Sequence, residues 1–256
     1  MKYRDLNLIP WDSMTYLVIS CDSSGGIGNK SKDVVKTSSR NLGFYTAQVA
    51  LMEMLSIKVM PMVLSNTLAV EMKDTGAEIL QGILDALNLL GLAEKVEITG
   101  STEENISTCS TGMGITLMGK VGIKDWIHPR TLEKDLAVVA GLPKVGEMVI
   151  DSDDSKQFSL KVLKKLLDKK YIHELIPGGS KGIIHEINEL EVREKLVFRN
   201  WNNNSLDLNA SCGPATSALI TIHKEDIEKL REDLDIPMFI VGEFVAEDEK
   251  EQLWEM

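Results

Sequence analysis

The chain has 256 residues, of which 43% are hydrophobic, 26% are charged and only 5% are aromatic. This length accommodates one large α/β domain or two of ordinary size, and the hydrophobic share is enough for a buried core. The formal net charge of −11 argues against nucleic acid and against an anionic membrane surface as partners, because both attract clustered Lys and Arg. Three separated cysteines without a CxxC pair disfavour structural zinc and a disulfide framework.

The first half of the chain alternates predicted strands and helices, which is the pattern of an α/β layer. The predicted elements are a strand over 14–20, a helix over 43–58 with Ser38 or Asn41 as N-cap, a strand over 62–69, a helix over 74–90 capped by Gly91, and strands over 96–99 and 114–121. The N-terminal segment has no apolar core of signal-peptide length, and no run of about 18 apolar residues occurs. We therefore expect a cytoplasmic protein without a membrane span.

Residues 140–146, AGLPKVG, predict a domain boundary because they hold two glycines and a proline. The predicted domains are therefore 1–139 and 140–256. The elements predicted for the second domain are a helix over 155–169, a strand over 172–176, a helix from 183 to about 190, a polar loop over 200–204, a strand over 217–223, a helix over 224–234, a strand over 237–244 and a frayed acidic end over 246–256.

The segment CDSSGGIGNK, residues 21–30, follows the first predicted strand and combines an acid, three glycines and a lysine. It is not a Walker loop, since Asn29 separates Gly28 from Lys30, and its lone GxG is too little for a dinucleotide fingerprint. Asp22 could hold Mg²⁺, Lys30 could supply a point charge to phosphate, and the glycines let backbone N–H groups approach closely. The alternative is a surface turn with an ordinary salt-linked aspartate.

Other acids are placed where they could join such a site. Glu53 lies among apolar neighbours in the first long helix, and Glu103 and Glu104 follow a strand in a Gly-Ser-Thr turn. Acids after two strands and on one helix could converge on a metal-bridged triphosphate. Alternatively, Glu53 lies on the solvent-exposed face of its helix, and Glu53, Glu103 and Glu104 are ordinary surface residues of an acidic chain.

Several segments resemble, in the right order, those of the aminoimidazole ribonucleotide synthetase (PurM-like) superfamily, whose relatives include thiamine-monophosphate kinase, selenophosphate synthetase and a hydrogenase-maturation enzyme. The resemblances are 20–30 to S-x-D-G-V-G-T-K, 50–67 to a V-N-D-I helix followed by G-A-x-P and an F-L-D strand, 99–107 to G-G-E-T-A-E-M-P-G, 141–147 to A-G-x-P-x-V-G-E, 177–182 to the T-G-G-G turn and 240–245 to the closing strand. The chain lacks the thiol-bearing loop of the selenophosphate enzyme and the C-terminal cysteine of the maturation enzyme, so those two chemistries are set aside.

The resemblance implies a two-domain α/β (α+β) fold, in which an N-terminal mixed sheet pairs with that of a second subunit into a dimeric β-barrel beside a C-terminal α/β domain. It therefore implies a homodimer that uses ATP and Mg²⁺. Asp22 and Lys30 would be catalytic, and the implied metal ligands are Asp22, Glu53, Asn66 and Glu104. The implied nucleotide-binding residues are Gly25, Gly26, Gly28, Lys30, Gly100, Thr102, Gly178, Gly179, Ser180 and Lys181. Glu53, Asn66 and Ser101 depart from acidic positions of the family pattern, where Glu53 replaces an aspartate and the other two replace acids altogether.

Within the superfamily, the chain is most similar to α-ribazole kinase, on the segments CDSSGGIGNK, TGSTEEN and IPGGSKGI. That resemblance implies transfer of the γ-phosphoryl group of ATP to the 5′-hydroxyl of α-ribazole, in salvage of the lower ligand of cobamides. Two alternatives stay open. One is another ATP-dependent synthetase or kinase of the superfamily, such as one like thiamine-monophosphate kinase. The other is a nucleotide-binding regulatory protein without turnover.

Overall fold

A computed structural model describes residues 1–124, 126, 129–150, 154–201 and 206–247. The chain divides into two compact units, Met1–Ile127 and His128–Met256. This division lies earlier than the predicted one at 139/140, because the strand Asp135–Ala140 pairs on both sides with strands of the second unit. The predicted loop at 202–204 and the acidic end from residue 248 lie outside the described residues.

The first unit is built on a six-stranded mixed sheet of order β1-β2-β3-β8-β6-β7. Its elements in chain order are β1 (Lys2–Tyr3), β2 (Leu6–Pro10), β3 (Thr15–Gly25), β4 (Ile27–Gly28), β5 (Val35–Lys36), α1 (Ser39–Ser56), β6 (Pro61–Leu68), α2 (Ala77–Leu90), β7 (Glu97–Thr102) and β8 (Gly112–Gly122). Both β3 and β6 are antiparallel to β8, and β7 is parallel to β6. The C-terminal ends of β3, β6 and β7 therefore meet at one edge of the sheet.

Strand β3 is longer than predicted. It continues through the polar segment Cys21–Ser24 to Gly25, because these residues pair with Gly112–Thr116 of β8. Side chains alternate between the two faces of a strand, so Ser20 and Ser24 face α1, where Ser20 Oγ donates to the Ala50 carbonyl at 3.0 Å. Asp22 is accordingly a strand residue rather than a loop residue.

Helix α1 is buried nearly all round, as expected for a helix between a sheet and a second helix. Ser38 is its N-cap, and its hydroxyl accepts from the Asn41 N–H at 3.1 Å. Helix α2 approaches α1 closely at two glycines: a Cβ added to Gly43 would lie 2.1 Å from the Ile79 carbonyl oxygen, and one added to Gly82 would lie 1.9 Å from that of Arg40. Larger residues at either position would force the helices apart.

The second unit has an entirely antiparallel five-stranded sheet of order β10-β12-β9-β13-β11. Its elements are β9 (Asp135–Ala140), α3 (Glu147–Ile150), α4 (Leu160–Leu166), β10 (Ile172–Pro177), α5 (Ile183–Glu194), β11 (Leu196–Asn200), β12 (Ala218–His223), α6 (Ile227–Asp233) and β13 (Met238–Ala246). Helix α5 packs Ile183, Ile187 and Leu190 against the apolar side chains of one sheet face.

Neither sheet closes into a barrel among the residues that the structure describes. In the same part of the chain, every helix is too short or too polar to cross a membrane.

Candidate functional site

The edge at which β3, β6 and β7 end carries three loops, which we call the first (26–36), second (69–76) and third (103–111) edge loops. Hydrogen bonds join each pair of loops. They run from Lys30 Nζ to Glu71 Oε2 at 2.8 Å, from the Met72 N–H to Glu104 Oε1 at 2.8 Å and from the Lys32 N–H to the Cys109 carbonyl at 2.8 Å. The three loops therefore form one connected structure above the sheet.

Lys30 makes the contact between the first and second edge loops. Its side chain is only 14% exposed, and its ammonium group pairs with the carboxylate of Glu71. Glu71 also accepts from the Thr75 hydroxyl at 2.5 Å. The hydrogen bonds from Lys30 and then from Thr75 lower the pKa of Glu71 to about 2. A phosphate that binds Lys30 would therefore take the place now held by a carboxylate.

Glu104 and Thr102 lie in the same cluster. The Thr102 hydroxyl donates to Glu104 Oε1 at 2.7 Å, and this bond, followed by the one from Met72, lowers the pKa of Glu104. The charge of Glu71 acts on Glu104 in the opposite direction, so the two carboxylates are neighbours. The structure thus brings together three predicted site residues, Lys30, Thr102 and Glu104. Sequence reasoning missed Glu71, whose one signal is that it closely follows a strand ending at this edge.

Asp22, Ile115, Asn66 and Gly100 form one row across four strands of the sheet. Three of them are predicted site residues, but Ile115 separates Asp22 from Asn66. Because neighbouring strands are about 4.8 Å apart, the backbones of Asp22 and Asn66 are separated by roughly 10 Å. Burial raises the pKa of Asp22 to about 6. The row therefore holds one partly buried carboxylate that is costly to ionise.

Asn66, a predicted metal ligand, contributes to the structure of the sheet. It is 3% exposed, and its Nδ2 donates to the Thr99 carbonyl at 3.0 Å, which ties β6 to β7. A Cβ on Gly100 would lie 2.6 Å from Asn66 Oδ1. The missing side chain of Gly100 thus leaves room for the amide group of Asn66. This packing accounts for a glycine at position 100 whether or not a nucleotide binds there.

The predicted metal ligands Asp22 and Glu53 lie at different levels along helix α1. Glu53 lies near the C-terminal end of α1, where its carbonyl accepts from Ser56 Oγ, whereas Asp22 lies between the strand residues that contact Thr46 and Ala50. Along the axis of α1, the positions of Asp22 and Glu53 therefore differ by about five helical residues, or roughly 7 Å. In the described part of the chain, no three His, Cys, Asp or Glu side chains are grouped to hold a metal ion.

Gly28 in the first edge loop and Gly25 at the end of β3 differ in whether a larger residue would fit. Gly28 has φ +146°, and an added Cβ would lie 2.7 Å from Thr111 Oγ1, so no other residue fits. Gly25 ends β3 with nothing within 4 Å of an added Cβ. When G-V-G-T-K is matched to residues 26–30, the aspartate of S-x-D-G-V-G-T-K falls on Gly25 and not on Asp22. The role of Asp22 as the retained motif aspartate stays a prediction.

The second-unit turn that holds Gly178, Gly179, Ser180 and Lys181 lies before α5, as predicted. The Gly178 N–H donates to the Ser217 carbonyl at 2.8 Å, and both Ser180 and Lys181 are exposed. A carboxylate is already close to this helix N-terminus, because Glu186 Oε1 lies 3.5 Å from the Cβ position of Gly179. An anion at this turn would meet that negative charge.

No protein-family model and no curated protein matches the chain. Solved structures do match it. T. maritima PurL in its ADP complex is 12% identical with a TM-score of 0.64, and the match covers 96% of this chain but only 42% of PurL. Thiamine-monophosphate kinase from Stenotrophomonas maltophilia K279a is 14% identical with a TM-score of 0.59, covering 96% of this chain and 90% of the kinase. AaThiL complexed with AMPPCP and TMP is 14% identical with a TM-score of 0.63, covering 94% and 84%.

The chain has the PurM-like fold. The α/β fold implied by the resemblance is therefore confirmed as a fold, and the pairing of the N-terminal sheet into a dimeric barrel stays a prediction. The chain spans less than half the length of PurL but most of the length of the kinases. The predicted α-ribazole kinase branch stays a prediction, as do the nucleotide-binding residues.

Proposed function

We propose that this chain is an ATP-dependent kinase of the PurM-like superfamily and that its edge loops bind the triphosphate. The observation that carries the proposal is the position of Lys30, whose ammonium group links the first edge loop to the second at the ends of β3 and β6. Proteins of the same fold have been solved with ADP and with AMPPCP, which supports a nucleotide as the ligand here.

The proposed reaction moves the γ-phosphoryl group of ATP to a hydroxyl of a small molecule. The acceptor oxygen forms a bond to the γ-phosphorus, the bond from that phosphorus to the β,γ-bridging oxygen breaks, ADP leaves and the hydroxyl proton passes to solvent. Such a transfer depends on positioning and on charge neutralisation more than on a strong base. Lys30 would neutralise charge on the phosphates, and the Gly25–Gly28 backbone would lie along them.

Mg²⁺, when bound, would neutralise phosphate charge and orient the γ-phosphoryl group. Mg²⁺ is commonly held by one or two carboxylates together with phosphate oxygens, so the absence of a three-acid group among the described residues does not conflict with its entry on the nucleotide. Asp22 and Glu104 are the carboxylates we propose for this role. Glu53 and Asn66 are less suited, because Asn66 is buried in a bond to β7 and Glu53 lies further along α1.

We propose the 5′-hydroxyl of α-ribazole as the acceptor, on the sequence resemblance of residues 21–30, 99–105 and 176–183. The second acceptor to test is thiamine monophosphate, because two thiamine-monophosphate kinase structures share the fold over most of their length. There the acceptor atom would be a phosphate oxygen instead of a hydroxyl oxygen, so the new bond would complete a diphosphate, and ADP would leave in the same way. Incubation with Mg-ATP and each acceptor, followed by mass spectrometry of the products, separates the two.

Lys30→Ala tests the site, and Lys32→Ala is its matched control because Lys32 is an exposed lysine of the same loop. We expect Lys30→Ala to raise the Michaelis constant for ATP at least about tenfold, as for loss of a charge-assisted contact, and Lys32→Ala to change it less than about twofold. An unchanged constant in Lys30→Ala would remove this loop from the nucleotide site.

A nucleotide-binding protein without turnover is the second candidate function. It is favoured by one observation, the glycine at position 25, which leaves the end of β3 without the carboxylate of the family pattern. Saturable ATP binding without ADP release, with either acceptor present, would establish it over the kinase.

We further propose a homodimer formed through the sheet face of the first unit that is opposite α1. This face carries Ile9, 45% exposed, beside Ile19, Met118 and Val63, which are in register with one another. Light scattering should give twice the chain mass. Ile19→Lys should reduce it to one chain, whereas Val192→Lys, on an exposed position of the second unit, should not.

A further inference from the structure

Asp33 accepts more hydrogen bonds than the other carboxylates of the edge loops, and no motif in the sequence points to it. It is 5% exposed. Its carboxylate accepts four hydrogen bonds, from the Lys30 N–H at 2.9 Å, from Ser110 Oγ at 3.0 Å, from the Thr111 N–H at 2.6 Å and from Thr111 Oγ1 at 2.7 Å. One donor lies in the first edge loop and three in the third, so the carboxylate joins the two loops.

The contacts around Asp33 fix the backbone of Lys30 on both sides. The Lys30 N–H donates to Asp33, and the Lys30 carbonyl accepts from the Asp33 N–H at 3.1 Å and from Lys36 Nζ at 2.5 Å. Gly28 packs against the same carboxylate, since an added Cβ would lie 2.8 Å from Asp33 Oδ2. The origin of the Lys30 side chain is therefore set by Asp33.

The Asp33 carboxylate is ionised at neutral pH. Burial acts to raise its pKa, but the bonds from Thr111, Ser110 and Lys30 outweigh burial and hold the pKa below its ordinary value. A buried carboxylate with four donors is costly to replace, because each donor would lose its partner. In the structure Asp33 contacts donors of the first and third edge loops, whereas the Lys30 ammonium group contacts the second edge loop at Glu71.

We propose that Asp33 is a positioning residue of the nucleotide site that acts through Lys30: its carboxylate ties the first edge loop to the third and thereby fixes the point from which the Lys30 ammonium meets a phosphate. This inference rests on the proposed nucleotide site.

The test compares Asp33→Asn with Asp12→Asn. Asp12 is a matched control because it also accepts two backbone N–H bonds in a turn, but in the loop between β2 and β3, at the opposite end of β3. The dissociation constant for ADP with Mg²⁺ is measured by titration calorimetry. We expect Asp33→Asn to weaken binding at least about tenfold and Asp12→Asn to change it less than about twofold. Equal binding by wild type and Asp33→Asn would overturn the proposal and leave the nucleotide site standing.

A double-mutant cycle with Lys30→Ala separates positioning from a general loss of structure. If Asp33 acts through Lys30, adding Asp33→Asn to Lys30→Ala should weaken ADP binding by less than about twofold more, whereas independent effects would multiply. Multiplied losses would overturn the proposal. Should Asp33→Asn fail to fold, Thr111→Val removes one of the four bonds and is expected to weaken ADP binding about threefold, again only when Lys30 is present.

Trypsin cleavage after Lys30 and Lys32 reports the loop without any nucleotide. We expect cleavage there to be faster in Asp33→Asn than in wild type and Asp12→Asn, because the loop has lost its link to Thr111. Unchanged cleavage would overturn the link between Asp33 and the loop. If the wild-type protein binds no ADP, both the proposed function and the positioning role of Asp33 are wrong. If wild type and Asp33→Asn bind ADP equally well, only the positioning role is wrong.

Discussion

Asp22 makes a prediction that does not depend on any ligand. Its carboxyl group lies in mid-strand between side chains that contact α1, and burial raises its pKa from 3.8 to about 6. The folded state therefore binds the proton more tightly than the unfolded chain does. Stability contributed by the protonated group is present below about pH 3.8 and is lost as the pH rises through about 6.

The size of that loss follows from the shift. A change of roughly two units, at about 1.4 kcal/mol per unit, amounts to about 3 kcal/mol. Asp22→Asn has nearly the same shape and carries no charge, so it avoids this cost. We expect the variant to be more stable than wild type by up to about 3 kcal/mol near pH 8 and to match wild type near pH 4.

The assay is urea denaturation of both proteins at a series of pH values, with Asp5→Asn, an exposed aspartate of the same unit, as the control. Wild type and Asp22→Asn should converge as the pH falls, while Asp5→Asn should follow wild type throughout. A difference that does not change with pH would refute the argument from burial. Addition of Mg-ADP at about pH 8 should then stabilise wild type more than Asp22→Asn if the carboxylate meets the metal.

Two further predictions concern the edge loops. Glu71→Gln removes the carboxylate that competes for Lys30, so calorimetry should show ADP binding about tenfold more tightly. The same variant should be less stable than wild type by about 1 kcal/mol at neutral pH, after allowance for solvent screening. Because the pKa of Glu71 is lowered from 4.5 to about 2, this difference in stability should vanish as the pH falls between those two values. A difference that persists at lower pH would refute the ion pair. Gly28→Ala should cost roughly 2 to 4 kcal/mol of unfolding free energy, from strain at positive φ and crowding against Thr111. Gly25→Ala, in open space, should cost less than about 1 kcal/mol, and equal losses would contradict the distances at Gly28.

Helix ends were predictable because local chemistry decides them. Ser38 accepts the N–H three residues later and begins α1, and Gly91 closes α2 at φ +73°, as a left-handed glycine does. The apolar periodicity between such signals is equally local. The second unit is predicted less completely. Strand β9, whose sequence DLAVVA is a buried apolar run typical of a central strand, is not among the predicted elements, and the predicted boundary at residue 140 separates it from the unit to which it belongs.

The end of β3 was not predictable from its own residues. Ser23, Ser24 and Gly25 have the composition of a loop, and they form a strand because β8, which begins at Gly112, pairs with them. The candidate site depends on similar distant contacts. Asp33 accepts hydrogen bonds from Ser110 and Thr111, and Glu71 pairs with Lys30. These partners are 41 to 78 residues apart in the chain, so local sequence does not indicate them.

The length of β3 constrains how this segment can change. Ser20, Asp22 and Ser24 face α1, whereas Cys21, whose Sγ lies 3.5 Å from Thr116 Oγ1, faces the other side of the sheet. Inserting or deleting one residue before this point would exchange the two faces, which would bury the thiol beside α1 and turn the carboxylate outward. Length changes here are therefore expected in pairs of residues, or together with a bulge that restores the alternation.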